Sequence, residues 1–239
     1  MSPTLKSQGF VLVDKPSGKT SFDMVRYIRQ LSQEKTVGHA GTLDPFATGL
    51  LVIAIGRPFT KKINLFQNMS KRYEGQFLLG QSTTTLDPDG DIDQTQDSDK
   101  IPHLSKEVWQ KKATEFIGEY NHIPPLFSAK KVNGKRSYQL ARKGIKPTLD
   151  PVCVNIHSFD ITSVSTDMFP IISFSVDCSK GTYVRTLITD LAKKVGSIGH
   201  CIDLRRVKIG EYHVNHALTI HHPPQDLNPF LFTHHAPSH

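Results

Sequence analysis

The sequence predicts a mixed α/β fold of the α+β type, with a largely antiparallel central sheet flanked by helices. Three observations carry this. Ile172, Phe174, Val176 and Cys178 alternate with polar residues, the pattern of a strand with one buried and one solvated face. Val184, Leu187, Ile188, Leu191, Ala192 and Val195 lie on one stripe at helical spacing, and Gly196 follows as a stop. The strand-like and helix-like segments follow each other irregularly, unlike the strict βαβ alternation of a parallel sheet.

The other elements follow in order. Phe10 to Val13 reads as a short strand, broken by Asp14-Lys15-Pro16-Ser17-Gly18. A helix capped by Thr20 or Ser21 comes next, with Met24, Ile28 and Leu31 on its inner side. Val37 to Gly49, rich in Gly and Thr, is expected as a loop. Leu50 to Ile55 is apolar throughout, consistent with a buried strand or a buried helical turn. Tyr73 to Leu79 reads as a strand, and Asp87 to Asp99 as a solvated acidic loop. Ser105 can cap a helix whose inner face is Trp109, Ala113, Phe116 and Ile117. Val152, Val154 and Ile156 alternate as a further strand. From His221 the chain has four prolines and no periodicity, so it is expected to be a loose tail.

Composition narrows the function. The 239 residues, 37% apolar and 21% charged, suffice for a proper core. The longest apolar run, Leu50 to Ile55, is far short of the ~20 residues that cross a bilayer. The polar start, Met1 to Gly9, is not a secretory signal. Three widely spaced cysteines suggest reduced thiols and a cytoplasmic location rather than a disulfide framework or a zinc site. The net charge is +7. Between Asn121 and Leu149 lie seven basic residues and no acidic one: Lys130, Lys131, Lys135, Arg136, Arg142, Lys143 and Lys146. Such segregation suits contact with phosphates. Of twelve histidines, seven lie at or beyond His213, in no recognisable ligand spacing. Asp87 to Asp93 begins like a calcium loop, but the twelfth position is Ser98 instead of Glu. No metal is expected.

Chemistry concentrates in Gly38-His39-Ala40-Gly41-Thr42-Leu43-Asp44-Pro45-Phe46-Ala47-Thr48-Gly49. Its three glycines permit positive φ and close approach by a ligand. Pro45 biases Asp44 toward an extended backbone that projects its carboxylate, which could act as nucleophile or base. The tetrapeptide Thr-Leu-Asp-Pro occurs three times, at Thr42, Thr85 and Thr148, and an isolated Asp-Pro is usually a turn. Only the first copy has the Gly and His framing, which favours Asp44 over Asp87 and Asp150.

This segment resembles the catalytic motif of the TruB family, the tRNA pseudouridine-55 synthases. Val13-Asp14-Lys15-Pro16 with Gly18 and Thr20-Ser21 resembles the family's opening motif, and Lys71-Arg72-Tyr73 the next. Pro124-Pro125, Ser128-Ala129, Lys131, Asn133-Gly134-Lys135-Arg136, Tyr138 and Ala141-Arg142 resemble its tRNA-gripping insertion. Cys178 to Arg185 and Leu204-Arg205-Arg206 complete a set that runs in family order over most of the chain.

The resemblance implies a pseudouridine synthase fold and isomerisation of uridine 55 in the tRNA T-loop, by base flipping and without metal or redox cofactor. It implies Asp44 as the essential carboxylate, with Arg185 as its cationic partner. A carboxylate there can attack the base or the sugar, or deprotonate the sugar. Tyr73 would stack on the base, His39 would help displace it, and Tyr183 and Leu204 would shape the pocket. Lys130, Lys131, Lys135, Arg136, Arg142 and Lys143 would grip the T-arm. The expected organisation is a catalytic domain over 1–220 with a basic insertion near 124–151, then a tail over 221–239. That tail is too short for the small C-terminal RNA-binding domain that family members commonly carry. A monomer acting on tRNA, with no protein partner and no membrane, is expected. The alternatives are an RNA-guided enzyme of the dyskerin type and a non-catalytic tRNA-binding or tRNA-folding module.

Overall fold

The computed structural model describes residues 8–132, 134–220 and 226–233. The chain divides into two compact units, Met1–Met69 with Arg205–His239, and Ser70–Leu204.

The first unit opens with β1 (Gly9–Lys15) and α1 (Ser21–Ser32). Thr20 is the N-cap of α1. Its hydroxyl accepts the Asp23 N–H at 3.1 Å, and the Asp23 carboxylate accepts the Thr20 N–H at 2.8 Å. This reciprocal cap satisfies N–H groups that a helix start leaves over. The segment expected to be loop contains β2 (Val37–His39) and runs into β3 (Thr48–Ile55). β3 pairs antiparallel with both β1 and β2, so Leu50–Ile55 is a strand. Its unbroken apolar run reflects burial on two faces. Leu51, Ile53 and Ile55 share a core with Met24, Val25 and Ile28 of α1. Leu50, Val52 and Ala54 share another with Phe10, Phe66, Val207 and Ile209. Each such Leu, Ile or Val contributes about 1.5–3 kcal/mol through burial. Short helices α2 (Arg57–Thr60) and α3 (Ile63–Asn68) close this stretch.

The second unit begins with β4 (Lys71–Leu79), then the paired β5 (Gln81–Thr83) and β6 (Ile92–Thr95). Helix α4 (Lys106–Thr114) buries Trp109 and Ala113. Phe116 is buried too, but Ile117 is 46% exposed. The helix has ended by then, and Gly118 turns the chain with φ +99°, so Ile117 leaves the expected stripe. There follow β7 (Gly118–His122), β8 (Lys131–Val132), β9 (Lys135–Arg136) and α5 (Ser137–Ala141). Then come β10 (Val152–Val164), β11 (Ile171–Cys178) and α6 (Val184–Lys194). Strands β4, β11, β10 and β7 lie side by side, all antiparallel. On β11 the alternation is as expected: Ile172, Phe174, Val176 and Cys178 are buried. Phe77 meets Trp109 edge to face at 5.5 Å, and Phe159 meets Phe174 at 6.0 Å.

The last strands are β12 (Gly199–Ile209), β13 (Tyr212–His213) and β14 (Leu218–Thr219). β12 has no clear apolar period, because Asp203, Arg205, Arg206 and Lys208 interrupt it. Two parallel pairings, β12 with β3 and β14 with β1, make the sheet mixed. The observed class is therefore the expected one, mixed α/β with mostly antiparallel strands.

The tail departs from expectation. Residues 221–225 and 234–239 lie outside the described residues, but the segment between them docks on the first unit. Leu227 is 3% exposed. Phe10 and Phe232 exchange backbone hydrogen bonds of 2.9 and 3.0 Å. The Phe232 ring lies 5.8 Å from Phe10, 6.2 Å from Phe66 and 5.2 Å from Tyr212. The apolar triplet Phe230-Leu231-Phe232 was the available signal. Phe232→Ala is expected to cost about 1–2 kcal/mol, a fall in Tm of about 2–8 °C. An unchanged melting curve would show that this docking contributes nothing.

Candidate active site

Asp44 stands half-buried between β2 and β3, and the backbone on both sides of it is held. The Ser21 hydroxyl donates to the Leu43 carbonyl at 3.1 Å and accepts the Leu43 N–H at 2.9 Å. Because Thr20 takes the capping role, the Ser21 hydroxyl serves the loop instead. Lys15 is fully buried. Its ammonium donates to the carbonyls of Pro16 at 2.9 Å, Lys19 at 2.7 Å and Pro45 at 3.2 Å. These acceptors offset the large cost of burying a charge. The Gly18 N–H adds a second bond to the Pro45 carbonyl at 2.9 Å, and the Ser17 hydroxyl reaches the Phe46 carbonyl at 3.0 Å. Leu43, Phe46 and Ala47 are buried beneath. The loop thus offers one carboxylate from immobilised backbone, the arrangement a nucleophile or base needs.

The arginines at positions 205 and 206 brace the same loop. Arg206, itself buried, donates to the Leu50 carbonyl at 2.8 Å and the Gly41 carbonyl at 3.3 Å. Arg205 forks onto both Asp14 oxygens at 3.0 and 2.7 Å, a bidentate pair. Gly49 has φ +101°, and a Cβ there would fall 2.3 Å from the Arg206 carbonyl oxygen. No other residue fits that bend. His39 ends β2, half-buried and opposite Ile53.

In the second unit Tyr73 is half-buried on β4, on the face that buries Lys71, Gly75, Phe77 and Leu79. Arg185 lies in the first turn of α6 and is 3% exposed. It forms an ion pair with Asp87 at 2.9 Å and donates to the carbonyls of Thr85 at 2.6 Å and Phe127 at 2.9 Å. Asp87 is therefore no part of a solvated loop; it is 4% exposed. Its carboxylate also accepts the Asp89 N–H at 3.1 Å and the Thr85 hydroxyl. Leu86 adopts φ +63°, which turns the second Thr-Leu-Asp-Pro inward. In the third copy Asp150 is exposed, and its carbonyl accepts the Lys130 ammonium at 2.9 Å. One tetrapeptide thus serves three different roles. Sequence reasoning missed Asp87, Lys15 and Ser21 as site-building residues. The repeat itself and the hydroxyl row Thr83-Thr84-Thr85 were the signals for Asp87.

Tyr183 is the N-cap of α6, and Leu204 is buried. Lys131, Lys135, Arg136, Arg142 and Lys143 are exposed, and Lys130 is half-buried. Their segment is anchored: the Ser137 hydroxyl donates to the Leu126 carbonyl and the Tyr138 N–H to the Ser128 carbonyl at 3.1 Å. Arg142 lies over the Tyr138 ring at 5.6 Å. Among the described residues no helix is long and apolar enough to cross a membrane. Asp87→Ala would leave the Arg185 charge buried without its carboxylate. The expected loss is about 3–5 kcal/mol by urea denaturation, with Asp87→Asn losing less. An unmoved midpoint for Asp87→Ala would show that the pair adds nothing to stability.

Residues 29–184 match the family model described as TruB family pseudouridylate synthase (N terminal domain). A Chlamydia pneumoniae protein named tRNA pseudouridine synthase B is 39% identical over 227 residues, covering 94% of this chain and 93% of its own length. One of the same name from Flavobacterium johnsoniae is 40% identical over 228 residues, covering 92% and 96%. A chain in the crystal structure of a Cbf5-Nop10-Gar1 complex has a TM-score of 0.67 at 23% identity. That match covers 89% of this chain but only 52% of the other, and it speaks to the fold. With a family model matching well over half its length and relatives matching nearly all of it, the chain belongs to the TruB family of pseudouridylate synthases.

Proposed function

We propose that this protein is a tRNA pseudouridine synthase that isomerises uridine 55 of the T-loop, with Asp44 as the catalytic carboxylate. The observation that carries this is the two-sided clamp on the Asp44 backbone. It holds a half-exposed carboxylate still in a family whose relatives bear that enzyme's name.

The reaction breaks the N1–C1′ bond, turns the base and joins C5 to C1′. C5 loses a proton and N1 gains one, so the sum is an isomerisation that consumes no oxidant or reductant. Asp44 supplies the carboxylate on which bond breaking depends. The target base must first leave its stack, at a cost of roughly a few kcal/mol. Tyr73, on a rigid strand, is the platform that receives it, worth about 1–3 kcal/mol by stacking. His39 takes the space the base vacates, while Tyr183 and Leu204 line the site. Arg185, held by Asp87, Thr85 and Phe127, is a preset cation that favours ionised carboxylates and anionic substrate groups. Lys130, Lys131, Lys135, Arg136, Arg142 and Lys143 grip T-arm phosphates, contacts that position RNA without reading sequence. The protein works as a cytoplasmic monomer, with residues 1–220 as the catalytic region.

Three measurements test this. Asp44→Asn is expected to abolish pseudouridine formation in unmodified tRNA while leaving tRNA Kd within about threefold. Full activity in that variant refutes the assignment. The wild-type reaction must also proceed without a guide RNA, or the RNA-guided alternative stands. Replacing Lys130, Lys131, Lys135 and Arg136 with Ala should weaken binding and flatten the slope of log K against log salt by up to about 3. An unchanged slope would count against these residues as phosphate contacts.

A further inference from the structure

The basic insertion leaves β7 at His122 and returns to β10 at Val152, and these two residues face each other across the pair. His122 has no part in the motif reading, yet it is 2% exposed. Its Nε2 accepts the Tyr183 backbone N–H at 3.4 Å, and the two rings lie 5.8 Å apart. The imidazole stacks on Tyr120 at 5.3 Å with 9° between the planes. Tyr120 donates its hydroxyl to Asp190 of α6 at 2.6 Å. The seam continues beyond His122. The Thr186 hydroxyl donates to the Ile123 carbonyl at 3.4 Å and Arg185 to the Phe127 carbonyl at 2.9 Å. The root of the insertion is thus stitched to the turn of α6 that carries Tyr183 and Arg185.

We infer that His122 is a positioning residue for the reaction: as a neutral imidazole it fixes Tyr183 at the head of α6 and couples the seating of the basic insertion to that turn. This rests on the reading of Tyr183 and Arg185 as substrate-binding residues. A backbone N–H only donates, so Nε2 must be unprotonated and the ring proton sits on Nδ1. Protonation of Nε2 would set donor against donor and break the link. The surroundings favour the neutral form. Burial, first, and the Lys130 charge disfavour the cation, while Asp190 and the Val152 backbone favour it; the net shift is downward from 6.5. Tyr120 and Tyr183 also face the ring, and burial pushes the Tyr120 hydroxyl further up. Of these groups, the imidazole is the one that ordinarily titrates between pH 5 and 8. Unfolded imidazole binds the proton more readily than the folded one. The contribution of the link is therefore full above pH 6.5 and is lost as pH falls from there through the lowered value of the folded imidazole.

Two variants of the full chain test this. In H122Q an amide oxygen can accept the Tyr183 N–H but does not titrate; H122L removes the acceptor and keeps an apolar filling. Single-turnover pseudouridine formation and tRNA Kd are measured across the acid and neutral range. H122L is expected to lose about tenfold in rate at neutral pH with Kd within about threefold. H122Q should stay near the wild-type rate at neutral pH and retain at least about threefold more of it in acid than wild type does. A wild-type rate in folded H122L, or an acid limb in H122Q superimposable on that of wild type, overturns the inference. If H122L does not fold by circular dichroism, the acid limb of H122Q decides alone. A wild-type protein that forms no pseudouridine at any pH instead overturns the functional reading beneath it.

Discussion

Lys15 and Ser21 hold the peptide groups on either side of Asp44, and much of the first unit keeps them in place. A carboxylate on a glycine-rich loop is a poor nucleophile if the loop wanders, because orientation is a large part of rate enhancement. Here Ser21 takes both polar groups of Leu43, while Lys15 and Gly18 share the carbonyl of Pro45. Lys15 can be buried only because β1 delivers it among carbonyls. Ser21 is available because Thr20 and Asp23 cap the helix between them. Arg206, reaching the Gly41 and Leu50 carbonyls, closes the frame from the far end of the chain.

The second unit follows the same logic around another buried cation. A buried guanidinium must find acceptors, and Arg185 finds a carboxylate and two carbonyls. That requirement explains why Leu86 adopts a left-handed conformation and why Asp87 lies inside while most of the acidic stretch lies in water. It also explains why the proline-rich exit from β7 runs along α6. The insertion between Pro124 and Asp150 carries exposed cations, while its root is packed and hydrogen-bonded.

Much of this was legible beforehand. Alternation on β11 and the stripe on α6 are legible because in each the apolar residues fall on one buried face. The β3 run was ambiguous because both its faces are covered, which erases periodicity. β12 was missed because its arginines, polar by type, find partners in the fold: Arg205 in the Asp14 carboxylate and Arg206 in backbone carbonyls. Ile117 failed for a local reason, a glycine turn that ends the helical stripe.

By itself, the sequence determined the fold class and the order of the motifs, and its glycine and histidine framing pointed to Asp44 among three copies of one tetrapeptide. Local spacing and glycine framing are enough for those. Only the tertiary structure decided what the other two copies do and what holds Asp44 still. The partners of the buried charges come from far along the chain: Lys15 meets a carbonyl 30 residues away, Arg185 one 100 away and Arg206 one 165 away. A buried cation is tolerable only where such acceptors converge, and convergence at that range is a property of the packed fold.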